Sequence, residues 1–262
     1  MEKKLIQTPH IVAFLDFLGA SEKMRDPAKN DKFLQMVNAV YTLSLSISGK
    51  IKKYDNIKNE IKVKIFSDNI VIAKEIEQID NCKDIFESYQ DIEQFSLIIY
   101  TAGMMTGNFI RGAISIGDLY MNDIFVYGEG LLKAHDGESK IANYPRIIID
   151  KEIFVMSQID MWQTFTPPDK KNIILRDMDG ELYLNPFYGL NKIANGKKTE
   201  IIKKLNTVHS YIIKEYKDLF SKNKKNVFPK LYWLAEKFND YCIVNKHSHR
   251  INLDQLTLED EQ

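Results

Sequence analysis

The sequence predicts an α+β fold, a mainly antiparallel sheet with helices packed on it, followed by a C-terminal helical extension. Three observations predict it. A continuous apolar run, Ile11 to Leu15, ends in Asp16 and reads as a buried strand delivering one acid to a sheet edge. Val63, Ile65, Ile70 and Ile72 alternate around Ser67-Asp68-Asn69, as two strands joined by a tight acidic turn would. Elsewhere apolar residues recur at three- and four-residue spacing, the period of a helix with one face on a sheet.

The elements follow in chain order. After the strand at Ile11 to Asp16, the spacing of Phe33, Met36, Val37, Val40 and Leu43 predicts a helix over 30–48. The hairpin tipped by Asp68 comes next. Ile92, Phe95, Ile98, Ile99, Ala102 and Met105 predict a helix over 91–107, with Gly107-Asn108 as its end. Ile110 to Ile116 alternates as a half-buried strand and Asp123 to Val126 is its expected partner. Gly128-Glu129-Gly130 opens a helix running to about Ala142, Pro145 stops it, and Arg146 to Asp150 forms a further strand. This order places the helices on one face of the sheet, with residues 1–155 as a core.

Residues 156–262 read as a hairpin and helical extension packed on that core. Pro167-Pro168 marks the break, and Ile173 to Asn185 turns back at Asp177-Met178-Asp179-Gly180. Ile201, Leu205, Val208, Ile212, Tyr216 and Leu219 define one long amphipathic helix. Leu231, Leu234, Ala235, Phe238 and Cys242 define a second, starting at Pro229, with the lysine-rich stretch Lys222 to Lys225 between them. Tyr211, Tyr216, Trp233 and Phe238 sit at helical spacing, as core or dimer contacts rather than a base-stacking platform. The acidic end, 258–262, is expected to fray.

Composition narrows the function classes. Lys plus Arg and Asp plus Glu each number 36, so no net field draws the chain onto nucleic acid or an anionic membrane. Cys82 and Cys242 form no C-x-x-C pair or disulfide framework, which suits a reducing cytoplasm. No run approaches the roughly 20 apolar residues that span a bilayer, so no membrane insertion is expected.

A strand ending in Asp16 and a hairpin tipped by Asp68 can together hold two Mg²⁺ or Mn²⁺ ions, which prefer hard oxygen ligands. The backbone N–H groups of Phe17, Leu18 and Gly19, at a turn into a helix, are candidates to cradle phosphates. Arg111 opens the strand expected beside Asp16, and its planar fork suits a triphosphate or a pyrimidine carbonyl. Asp177-Met178-Asp179-Gly180 begins like a calcium loop but lacks the closing Glu, and His247 and His249 have no third ligand for zinc.

Ala13-Phe14-Leu15-Asp16-Phe17-Leu18-Gly19, Phe66-Ser67-Asp68-Asn69, Ile110 to Gly117 and Tyr127-Gly128-Glu129-Gly130 come in the order and spacing of a class III nucleotide cyclase, over residues 9–155. With Arg111-Gly112-Ala113-Ile114-Ser115, Ala142-Asn143-Tyr144-Pro145-Arg146-Ile147 and the helical tail added, most of the chain resembles the bacterial pyrimidine cyclases of the Pycsar antiphage system. The resemblance implies a homodimer with active sites at the interface. It also implies conversion of UTP or CTP to 3′,5′-cyclic UMP or cyclic CMP, with a separate effector sensing the product. By position it makes Asp16 and Asp68 the metal ligands and puts Lys64 where class III enzymes touch the base. Adenine-type enzymes pair such a lysine with an acid where this chain has Phe125, so Lys64 is half of a purine code and a cyclic AMP enzyme stays open. The transition-state Asn and Arg of ordinary class III enzymes fall on Leu132 and Asp136. Those departures leave Lys133, Lys140 and Arg146 as substitute cations, with His135 as a further proton acceptor, or else a degenerate cyclase fold that binds without turnover.

Overall fold

The computed structural model describes residues 5–51, 61–158, 172–222 and 227–256. Pro167-Pro168, most of the Lys222 to Lys225 stretch and the acidic end lie outside the described residues. Eight strands form one sheet in the order β2 (Lys62–Phe66), β3 (Asn69–Glu75), β1 (Thr8–Phe17), β4 (Ile110–Met121), β6 (Ile147–Ile149), β8 (Leu182–Leu184), β7 (Ile174–Arg176), with β5 (Val126–Tyr127) pairing beside β4. Every pairing is antiparallel except β4 with β6. The α+β architecture predicted from sequence is the one observed, and the 173–185 hairpin extends the same sheet.

Among the described residues, five helices precede β7: α1 (Ala20–Arg25), α2 (Pro27–Ile51), α3 (Cys82–Thr106), α4 (Glu129–Asp136) and α5 (Lys151–Ser157). Three follow β8: α6 (Tyr188–Ile193), α7 (Lys198–Ser221) and α8 (Phe228–Val244). Helix α3 starts nine residues before the predicted span because Ile85 and Tyr89 extend its buried face back to an Asn81 cap, whose side chain accepts from the Lys83 N–H at 3.0 Å. Gly107, at φ 72, ends it in the left-handed region. Ile98, read as part of the buried face, is 44% exposed.

The expectation that helices cover one face is corrected. Ile11, Ala13, Leu15, Ile70 and Ile72 belong to one large core with α2, α3 and α7, whereas Val12, Phe14, Val71 and Ala73 pack on the other face against Ala134 of α4. The run Ile11 to Leu15 shows why: it is buried throughout, and a strand without polar alternation needs cover on both sides. The N-terminus of α4 lies almost on β4. A Cβ on Gly117 would meet the Gly130 nitrogen at 2.8 Å, so only glycine permits that approach.

Two further differences concern β4. It runs five residues past Ile116, and its partner is Val126–Tyr127 rather than Asp123 to Val126. The Asn122 side chain accepts from the N–H groups of Ile124 and Phe125, at 2.8 and 2.9 Å, and so takes those residues into the turn. The helix from Gly128 ends near the predicted place, but its last part, Gly137–Ile141, is a π turn.

Candidate active site

Pairing register brings the two predicted acids together. Asp16, near the end of β1, pairs with Asn69, the residue after Asp68, and the Phe17 N–H donates to the Asp68 carbonyl at 3.1 Å. Ser67, with φ 59, supplies the positive backbone angle of this two-residue hairpin turn. On its other side Asp16 pairs with Arg111 of β4, so Arg111 stands on the same face.

Arg111 Nε donates to Asp16 Oδ2 at 3.2 Å and also contacts Glu138 Oε1. The second contact is not aligned as a hydrogen bond, so this buried Glu138 oxygen has no hydrogen-bond donor among the described residues. Glu138 lies in the π turn, an element that concentrates at functional sites. Gly137 makes that turn fit, since a Cβ there would lie 2.6 Å from the Ala113 Cβ.

Burial pushes the Asp16 carboxyl above its ordinary range; the Arg111 charge and hydrogen bond oppose this, and the Asp68 charge adds to it. Glu138 is raised for the same first reason, with Arg111 opposing and Asp16 adding. Two carboxylates, Asp16 and Glu138, thus share one guanidinium, and the Asp68 charge acts on Asp16; no group of three or more metal-ligating side chains occurs among the described residues.

The phosphate cradle expected from Phe17, Leu18 and Gly19 is mostly engaged elsewhere. Phe17 donates to Asp68 as above, and the Leu18 N–H donates to the Phe109 carbonyl at 2.9 Å. Gly19 alone of the three donates to no backbone carbonyl among the described residues, and it sits at φ 71 before α1. Lys64 pairs with Val71, which pairs in turn with Phe14, so by register Lys64 shares the face of Asp16. It is half-buried and makes no ion pair among the described residues.

The substitute cations named from sequence all have other partners. Lys133 pairs with Glu152 at 2.9 Å, Lys140 pairs with Asp136 at 2.8 Å, and Arg146 is fully buried against Asp177 and Asp179. Leu132 is 66% exposed, and His135 packs edge-on against Phe14 with ring centroids 5.2 Å apart. Phe125 lies over Tyr120 at 5.2 Å on the β4–β5 turn.

Sequence reasoning missed Glu138 and Lys230. Glu138 had a faint signal in Gly137, a glycine inside a helical pattern; Lys230 had none, since only the fold brings α8 to this edge. The charge of Lys230 acts on Asp16, Arg111 and Glu138 alike.

No protein-family model and no curated protein matches the chain. Among solved structures, the adenylyl cyclase CyaB from P. aeruginosa is similar with a TM-score of 0.43 and 13% identity, over 70% of this chain and 95% of that one. The guanylyl cyclase Cya2 is similar with a TM-score of 0.38 and 10% identity, over 70% and 93%. Likeness at this level leaves the chemistry to the residues themselves.

Proposed function

We propose that the chain is a divalent-metal-dependent nucleotide cyclase that takes UTP or CTP to the 3′,5′-cyclic nucleotide and pyrophosphate. The observation carrying this reading is the juxtaposition of Asp16, which shares a face with Arg111, and Asp68, in the turn one residue before the Asn69 that pairs with Asp16. The donor set suits the metal. Mg²⁺ typically takes one or two protein carboxylates and completes its shell with substrate phosphates and water, and Asp16 and Asp68 supply two.

Bound there, such ions supply charge neutralisation at the polyphosphate and a lowered pKa at the ribose 3′-hydroxyl. Asp16 and Asp68 hold them in position. Arg111, anchored by Glu138, presents its remaining N–H donors to anionic oxygens. The reaction is in-line phosphoryl transfer: O3′ bonds to the α-phosphorus as the bond to pyrophosphate breaks, and the protein contributes position and charge without a covalent intermediate.

The pyrimidine preference and a role in antiphage defence, with a separate effector sensing the product, rest on the whole-chain sequence resemblance. Lys64 keeps a purine substrate as the second reading. A homodimer is supported by apolar side chains on β5 and nearby, with Ile124 86% and Tyr127 65% exposed. No helix among the described residues is long and apolar enough to cross a membrane.

The test is incubation of the purified chain with UTP, CTP, ATP and GTP separately in Mn²⁺, followed by separation of the products. Cyclic UMP or cyclic CMP is expected to predominate. Cyclic AMP as the main product selects the purine reading, and no cyclic product from any of the four, with control enzymes active, refutes cyclisation.

A further inference from the structure

A cavity of about 120 Å³ lies between the turn that follows β1 and the C-terminal helices. Leu18, Gly19 and Phe109 line one side, Lys230 and Leu231 the other. Lys23, Lys29 and Lys230 all reach its walls, but only one has an ammonium to offer. Lys23 donates to the Gly107 carbonyl at 2.9 Å and to Asn108 Oδ1 at 3.0 Å, and Lys29 is paired with Asp218. Lys230 makes no ion pair or hydrogen bond among the described residues. Its charge nevertheless acts on those of Asp16, Arg111 and Glu138.

We propose that Lys230, on α8, is a binding residue for the polyphosphate of the nucleotide, so that the helical extension completes the site from within the same chain. The proposal rests on the nucleotide-cyclase reading of Asp16 and Asp68. Leu18 and Gly19, which follow Asp16 and Phe17 in the chain, line the same cavity as Lys230. Glu22, Glu215 and Asp218 line the cavity too, and Asp218 is paired with Lys29. Burial first, and then the like charge of Arg111, push the Lys230 ammonium below its ordinary range, with Asp16 and Glu138 opposing. A polyanion would relieve that pressure. None of the three substitute cations named from sequence, Lys133, Lys140 and Arg146, has this freedom, since each is tied to an acid of its own.

The experiment is equilibrium binding of inorganic tripolyphosphate, in Mn²⁺, to the full chain and to Lys230→Met and Lys230→Arg, with melting curves for each. Lys230→Met is expected to weaken binding about 10- to 50-fold at an unchanged melting temperature, and Lys230→Arg to stay within about threefold of the parent. Equal binding by Lys230→Met and the parent overturns the proposal, as does a parent that binds no tripolyphosphate. The cyclase reading fails separately: lysine-dependent tripolyphosphate binding without a cyclic product from any nucleotide would keep Lys230 in its place and remove the reaction.

Discussion

Two arginines side by side at the start of the parallel β4–β6 pairing, where the Gly112 N–H donates to the Arg146 carbonyl at 3.0 Å, put the same side chain to different uses. Arg146 is fully buried. Its Nη1 reaches Asp177 at 2.5 Å and Asp179 at 3.1 Å, and its Nη2 reaches the Ile141 carbonyl at 3.2 Å as well as Asp179. Asp177 in turn receives the Trp233 indole at 2.8 Å and Lys237 at 2.9 Å, and Trp233 stacks on Tyr144 with 7° between the planes. Arg111 is 23% exposed, and only its Nε touches an acid, in a contact with Asp16 and an unaligned one with Glu138. The first arrangement matches two cations, Arg146 and Lys237, to two acids, Asp177 and Asp179, leaves the buried Arg146 Nε without a hydrogen bond among the described residues, and ties the 177–180 turn and α8 to the sheet. The second leaves carboxylate oxygens and guanidinium donors with capacity unused. A buried ion network with its partners matched is a fastener; one left short of cations beside an opening is a place where a ligand supplies the missing charge.

The largest effects should come from the unsaturated cluster and fall on chemistry alone. Asp16→Ala and Asp68→Ala are each expected to reduce turnover to background while the melting temperature holds, because Asp16 bears a burial cost that its removal lifts. Cyclic-nucleotide formation and thermal unfolding, measured on the same samples, separate the two. Near-normal turnover in either variant would mean that the Arg111 cluster is not the metal site, and the contrast between the arginines would lose its functional half.

The saturated network should show the reverse. Arg146→Met strands two aspartates and is expected to cost about 3–5 kcal/mol of stability, read by urea unfolding, against less than half of that for Arg111→Met. Burial alone would raise the Asp177 carboxyl, yet hydrogen bonds from Lys237, the Met178 N–H and Trp233 hold it below its ordinary range. Its folded value is therefore the lower one. The stability it contributes is present above the unfolded pKa and is lost as pH falls through the folded one, so acid should loosen α8 while leaving β1 to β3 intact. Equal costs for the two arginine variants would erase the distinction.

This division explains what was legible in the sequence. Asp16 and Asp68 were visible because each ends a strongly patterned element, and a two-residue turn fixes the hairpin register once the alternation of Val63 to Ile72 is recognised. The placement of α4 on the second face was implicit in the unbroken run Ile11 to Leu15, which needs cover on both sides. Arg146 looked like a free cation because nothing in Asn143-Tyr144-Pro145-Arg146 announces that the distant Asp177 and Asp179 will close on it. Glu138 and Lys230 were hidden for related reasons. A π turn leaves no period to read, and a lysine 214 positions after Asp16 joins it only through the packing of α8.

Glu93 on α3 extends the rule to a buried acid without a cation in contact. It is 6% exposed, and burial raises its pKa to about 7 against the opposing influence of the Tyr89 hydroxyl and the Lys192 charge. The folded value lies above the unfolded one. Below the unfolded value both states carry the proton and nothing is lost; as pH rises toward the folded value, only the unfolded chain releases its proton freely and stability declines. At pH 8 the accumulated penalty is at most about 3 kcal/mol. Glu93→Gln removes the ionisation but keeps the shape. Urea unfolding should find the variant indistinguishable from the parent at pH 4.5 and more stable by about 1–3 kcal/mol at pH 8. A difference that does not change with pH would mean that Glu93 is already ionised in the folded chain. A counter-charge like those around Arg146 would then have to reach it, and incomplete pairing would no longer single out the Arg111 cluster.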